Sequence, residues 1–199
     1  MSHYFINDEN VKHNKKIIEV KCCDTTIKVY TDNGVFSKEH LDYGTRLLLT
    51  NFLKESKEGK TLDLGCGYGI IGITISLESN MKVDLVDIND RALELTKENI
   101  KLNNIENARC WKSNIYENIK DKYNYIITNP PIRAGKETLK KFLFEGKDYL
   151  EDNGELWFVM RKDHGVKTMI KELEMEYKTE IIDKSKGFYI VKLKKAKKV

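Results

Sequence analysis

From Thr61 onward the chain alternates short apolar runs with amphipathic stretches, and this alternation limits the possible folds more than any other feature. Thr61-Leu62-Asp63-Leu64, Lys82-Val83-Asp84-Leu85-Val86-Asp87, Ala108-Arg109-Cys110-Trp111, residues 123–128 and Glu155-Leu156-Trp157-Phe158-Val159-Met160 read as strands. Helices are predicted between them: from the glycine loop to about Leu77, from Asp90 as N-cap to Asn103, and over 137–150. Asp152-Asn153-Gly154 predicts a turn. A helix over 166–175 precedes two last strands, near 178–182 and 188–193, on either side of the turn at Lys186-Gly187. Parallel neighbours need crossover helices, whereas strands one tight turn apart pair antiparallel. The expectation is an α/β, doubly wound, Rossmann-like sheet, mostly parallel, with an antiparallel hairpin at its C-terminal edge.

Ahead of this unit, 17–21 and 26–30 read as a β-hairpin about Cys23-Asp24, and Asp32-Asn33-Gly34 as a turn. Leu47, Leu48, Leu49, Phe52 and Leu53 give 41–53 an amphipathic helical pattern. The expected organisation is an N-terminal hairpin extension, 1–33, on a single domain, 34–199.

With 40% hydrophobic residues the chain can bury a sizeable core, and no apolar stretch approaches the roughly 20 residues of a membrane span. Met1-Ser2-His3-Tyr4-Phe5-Ile6 lacks the basic-then-apolar pattern of a signal peptide, so a cytoplasmic protein is expected. Cys22, Cys23, Cys66 and Cys110 show no CxxC spacing, which predicts free thiols and no metal site. A net charge of +4 permits a nucleic-acid partner without requiring one. The basic run Lys192-Leu193-Lys194-Lys195-Ala196-Lys197-Lys198 reads as a solvated, frayed tail ahead of a phosphate contact.

Asp63-Leu64-Gly65-Cys66-Gly67-Tyr68-Gly69 places glycines between a strand and a helix, where backbone must turn tightly and approach a ligand closely. Gly67-x-Gly69-x-x-Gly72 also fits the dinucleotide fingerprint. Charge separates the two cofactor classes. A dinucleotide brings a pyrophosphate, which an acid at the strand end repels. S-adenosylmethionine brings an ammonium and a sulfonium, which the same acid attracts. Asp63 therefore favours the sulfonium cofactor. Asp87 is placed to accept ribose hydroxyls in either class. Ile88 and Ile115 are candidates to sandwich an adenine and Asn114 to bond its amine; the plainer readings are core residues and a turn residue.

Both prolines of the chain stand in Asn129-Pro130-Pro131-Ile132, directly after the apolar run Tyr125-Ile126-Ile127-Thr128. The double proline stops the strand and holds the Asn at its carboxyl end, where open α/β sheets keep their ligands. An exocyclic aromatic amine is a poor nucleophile because its lone pair is delocalised. Two acceptors on its N–H groups draw the nitrogen toward tetrahedral geometry. Asn129, through its side-chain oxygen, and Pro130, through its carbonyl, are the candidate pair. Methyl transfer from a sulfonium needs mainly such positioning.

The glycine loop and the Asn-Pro-Pro loop together resemble a class I methyltransferase. Gly34-Val35-Phe36-Ser37, Leu41-Asp42-Tyr43-Gly44-Thr45 and Asn129-Pro130-Pro131-Ile132-Arg133-Ala134-Gly135-Lys136 resemble, more narrowly, the small-domain methyltransferases related to the 16S ribosomal RNA guanine 2-amino enzymes. The resemblance runs from about Gly34 to the C-terminus. It implies a seven-stranded sheet, S-adenosyl-L-methionine as cofactor, and an RNA partner, most naturally ribosomal. It implies the cofactor contacts given above for Asp63, Gly65, Asp87, Asn114 and Asn129, and matches Phe36, Asp42, Gly44 and Thr45 to the segment closing over the methionine end; Gly67, Gly69, Ile88 and Ile115 are cofactor candidates on the residues alone. Pro131, Ile132, Arg133 and Lys136 are the expected substrate contacts, with Lys140 and Lys141 nearby. Relatives that modify adenine or protein glutamine carry an aromatic residue after Asn-Pro-Pro; Ile132 stands there instead and leaves the stacking partner of the acceptor unassigned. A protein side-chain amide or a small molecule is the alternative acceptor, and a non-catalytic cofactor- or RNA-binding module the alternative class.

Overall fold

The computed structural model describes residues 14–32 and 42–195. Strands β1 (Lys16–Cys22) and β2 (Thr25–Thr31) form a separate antiparallel hairpin. Its two-residue loop starts at Cys23, whose φ of 56° is the left-handed value a tight hairpin turn needs there. Helix α1 (Tyr43–Phe52) then leads into the main unit. That unit contains β3 (Lys60–Leu64), α2 (Ile70–Glu78), β4 (Lys82–Asp87), α3 (Asp90–Leu102), β5 (Ala108–Lys112) and β6 (Tyr123–Thr128). It continues through α4 (Lys136–Phe144), β7 (Leu150–Arg161), α5 (Val166–Leu173), β8 (Tyr177–Ser185) and β9 (Phe188–Lys195).

The seven-stranded sheet has the order β5-β4-β3-β6-β7-β9-β8. Strands β3 to β7 pair in parallel, and β9 runs antiparallel to both β7 and β8. This is the Rossmann-like sheet with a reversed C-terminal edge that the alternation predicts. The chain steps outward from β3 to β5, then returns to lay β6 on the other side of β3. The order therefore reverses between β3 and β6, and a crevice opens beyond their carboxyl ends. Asp63 and Gly65 end one of these strands, and Asn129 follows the other.

Each face of the sheet has its own core. On one, Leu48, Phe52, Ile73, Ile75 and Leu95 pack with Val83, Trp157 and Val159. Val20, Cys22, Ile27 and Val29 of the hairpin belong to this same cluster, so the hairpin completes the core. On the other face Leu139, Phe142, Met169 and Leu173 cover Leu62, Leu64, Phe158 and Val191. The boundary expected at residue 33 lies outside the described residues.

Four sequence expectations change. The N-cap of α3 is Asn89, not Asp90: Asn89 Oδ1 accepts from the Ala92 amide at 2.9 Å. Helix α4 ends at Phe144 rather than near Leu150, and a 3₁₀ segment, Glu145–Tyr149, follows. Its last carbonyls are taken by side chains: Tyr116 donates to the Phe142 carbonyl and Tyr177 to that of Leu143, both at 2.7 Å. The turn expected at Asp152-Asn153-Gly154 is an irregular bulge inside β7: Tyr123 pairs with Leu150, but Tyr125 pairs with Glu155. Gly154 permits it, because a Cβ there would stand 2.9 Å from the Tyr123 carbonyl. Finally, residues 192–195 of the expected frayed tail lie in β9, where Lys192 pairs with Glu180 at 2.6 Å.

Candidate active site

The glycine loop runs from the end of β3 to the start of α2. Gly65 and Cys66 both donate to the Val86 carbonyl at 2.9 Å, which ties the loop to β4. Gly65, Gly67 and Gly69 have φ of 72°, 58° and 96°. Gly72 serves packing: a Cβ there would fall 2.4 Å from Leu85 Cδ2. Asp63 has no exposed surface. Its Oδ2 accepts from the Gly72 amide at 2.8 Å, while its Oδ1 is buried without a hydrogen-bond partner. Burial, only partly offset by the Gly72 amide, pushes its carboxyl up to about 7. The Tyr68 hydroxyl is also buried and unpartnered. Burial, then the nearby charge of Asp42, push it up to about 12. An orphaned acceptor and an orphaned hydroxyl at one loop fit a ligand carrying both an ammonium and a carboxylate. Asp63 ahead of the loop supplies an acid, and the loop's own side chains, Cys66 and Tyr68, supply no cation, so they do not fit a pyrophosphate. Tyr68 was not predicted as a site residue, and its hydroxyl gives no sequence signal apart from its position between two glycines.

Asp87 stands at the carboxyl end of β4 with its oxygens on two backbone amides, Gly67 and Asn89, each at 2.9 Å. It thus couples the glycine loop to the start of α3. Ile88 is half-buried and belongs to neither core cluster, whereas Ile115 packs against the second. Ile115 adopts φ 54°, a strained value for a β-branched residue, and Ser113 Oγ donates to its carbonyl. Asn114 is exposed, and its carbonyl accepts from the Glu117 amide. Asp87 thus ends β4 with Ile88 directly after it, and Asn114 and Ile115 follow the neighbouring β5.

Asn129 leaves β6 facing the start of α1. Its Nδ2 donates to Thr45 Oγ1 at 2.9 Å and to Asp42 Oδ2 at 3.2 Å. A carboxylate only accepts, so this contact fixes which end of the Asn amide points toward Asp42. Oδ1 is left facing away as an acceptor. Asp42 is simultaneously the N-cap of α1, accepting from the Thr45 amide at 3.1 Å. One carboxylate therefore caps a helix and orients the Asn. Among the described residues no group donates to Asn129 Oδ1 or to the Pro130 carbonyl. Pro130 is buried, and Pro131 opens a 3₁₀ turn, Ile132–Ala134, in which the Ala134 amide donates to the Pro131 carbonyl.

The expected substrate residues divide. Ile132 packs against the second core, and Arg133 is exposed. Lys136 and Lys140 both pair with Glu172, at 3.3 and 2.6 Å. Phe36 lies outside the described residues.

The family model described as "Methyltransferase small domain" matches residues 26–192. The uncharacterized protein YbxB of Bacillus subtilis is 36% identical over 97% of this chain and 98% of its own length. Ribosomal RNA small subunit methyltransferase C of Aeromonas hydrophila is 36% identical over 68% of this chain, which spans only 40% of that protein. Among solved structures, the T. thermophilus 16S rRNA N2 G1207 methyltransferase, determined with AdoMet and guanosine, superposes with a TM-score of 0.82 at 17% identity, covering 92% of this chain and 51% of that one.

Proposed function

The chain belongs to the methyltransferase small-domain family, and we propose that it methylates the 2-amino group of a guanine in ribosomal RNA. It is an S-adenosylmethionine-dependent enzyme; the bound cofactor supplies an electrophilic methyl group. Asp63 and Tyr68 would meet the amino-acid end of the cofactor, Asp87 its ribose, and Ile88 and Ile115 its adenine. The glycines let the backbone approach.

The observation that carries the reading is the fixed orientation of Asn129. Its Nδ2 is occupied by Thr45 and Asp42, which supports reading its Oδ1, with the Pro130 carbonyl, as the pair of acceptors for the substrate amine. A guanine 2-amino group offers two N–H donors to match them. Held this way, its lone pair points at the methyl group. The new N–C bond forms as the S–C bond breaks, and the extra proton leaves the product nitrogen afterwards, so no strong base is needed at the site. A base in a duplex would have to be unpaired or flipped to reach Asn129.

The test is incubation with methyl-labelled cofactor and small-subunit RNA from cells lacking this protein, followed by nucleoside analysis. Label in N2-methylguanosine is expected. Label in a peptide or metabolite and none in guanosine would sink the RNA reading while leaving the enzyme class intact.

A further inference from the structure

We infer that the rim built by β7, β9 and the first turn of α1 receives an unpaired stretch of RNA. The Tyr43–Phe188 ring pair stacks a base, and Arg161 and Lys186 meet its phosphates. This rests on the RNA reading above and supplies the stacking surface that Ile132 does not.

Sheet register places the rim. Strand β6 ends with Thr128 opposite Phe158, but β7 continues to Arg161, which pairs with Phe188 of β9. Three more residues raise a wall about 10 Å beyond the end of β6, from which the Asn-Pro-Pro loop departs. Alternation along β7 puts Arg161 on the face of Trp157 and Val159, the face that α1 covers. Phe188 is its cross-strand partner and packs against that same core. Its ring also lies against Gly44, where a Cβ would stand 2.8 Å from the ring and 3.2 Å from Asp42 Oδ2. The ring is thus one residue away from the Asp42–Thr45–Asn129 set.

The two rings are in contact, and the cations beside them are accessible. The Tyr43 and Phe188 centroids are 5.7 Å apart at 47°, and the Tyr43 hydroxyl and Ser185 Oγ are 2.6 Å apart. Both rings are only half-buried, unlike the core aromatics Phe52 and Phe158. The Arg161 guanidinium sits 5.3 Å over Phe188, and Lys186 Nζ 4.6 Å over Tyr43. Both cations, with Lys162 beside Arg161 in the chain, are exposed. Asp163 pairs with Arg161 at 2.9 Å, an exposed contact that water and salt weaken. A stacked nucleobase outweighs an exposed cation over a ring. A base settling on the rings would lift these cations toward its flanking phosphates. Lys136 and Lys140 pair in the same way with Glu172, whereas the cations of the rim also lie over half-buried rings.

The test uses the full chain and a short, unstructured, fluorescent RNA carrying one guanosine, with its duplex as control. Phe188→Leu and Tyr43→Leu keep apolar volume and remove the ring. Each is expected to weaken single-strand binding about tenfold while S-adenosylmethionine binding stays unchanged by calorimetry. Arg161→Gln is expected to flatten the slope of log affinity against log salt by about 0.7, whereas Lys101→Gln, in the last turn of α3, leaves it unaltered. Should one ring variant fail to fold, the other and the Arg161 slope still decide. RNA binding by the unaltered protein that none of these three substitutions changes would overturn the inference alone. An unaltered protein that neither binds nor methylates RNA overturns the RNA reading, and the inference falls with it.

Discussion

Asn129 is specified by its neighbours as much as by its own chemistry. An Asp at that position would place a second carboxylate about 3 Å from Asp42, so only the amide can both donate to Asp42 and present an acceptor outward. Asn129→Ala removes one of the two proposed acceptors. Its expected effect is a loss of about 10²-fold in kcat with near-normal melting temperature, read by labelled methyl incorporation and thermal denaturation. Asp63 works differently, because its burial holds it at about 7 against an ordinary 3.8. The unfolded chain ionises first as pH rises, so the stability present below 3.8 is lost progressively until about 7 and stays lost above it. Asp63→Asn keeps an acceptor for the Gly72 amide and removes the charge. The variant is expected to melt higher than the parent at pH 8, by about 5 °C, with the gain shrinking toward pH 5. A gain that is the same at both values would show that Asp63 is not held protonated by burial. Asp63 and Asn129 were legible in the sequence because strand ends and glycines announced them. The work of Asp42 was not: its role depends on a contact between α1 and the β6 loop, and no local pattern reports it.

At the level of elements, the N-terminal hairpin is joined to the cofactor loop through a single side chain of α3. Asn99 accepts from the Tyr30 amide at 2.6 Å and donates to the carbonyls of Tyr30 and Tyr68, at 3.0 and 2.8 Å. Removing it leaves three backbone groups without partners, of which the Tyr68 contact is fully buried. Asn99→Ala is therefore expected to cost about 3 kcal/mol in denaturant unfolding and to weaken S-adenosylmethionine binding, since Tyr68 belongs to the loop. Stability lost with cofactor affinity intact would show that the two elements are not coupled by this residue. The sequence signalled both elements but not their joint, since the bonding partners stand 69 and 31 positions apart. The same limit explains the β7 bulge. Asp152-Asn153-Gly154 has true turn chemistry, and pairing with β6 overrides it.

For the whole molecule, strand order was only partly legible. Alternation gave parallel strands and the reversed edge, but the placement of β6 beside β3 comes from long-range pairing. That placement makes the crevice and determines which ligand the molecule selects. Its walls at the glycine loop carry the carboxylates Asp63 and Asp87 and the hydroxyl of Tyr68. Binding to the native state alone raises stability by RT ln(1 + [L]/Kd), about 2.7 kcal/mol at a hundredfold excess over Kd. For a chain of this size that is a rise in melting temperature of about 5–10 °C. S-adenosylmethionine is expected to produce such a rise, and NAD none, because its pyrophosphate would face the two acids. Ionised Asp63 binds the cationic ligand better, so the rise should grow from pH 6 to pH 8 as the carboxyl passes its value of about 7. Asp63→Asn removes that growth while the parent keeps it, which separates the titration of Asp63 from the titration of the ligand's own amine. A larger rise with NAD than with S-adenosylmethionine would overturn the charge argument for the crevice, whatever the acceptor proves to be.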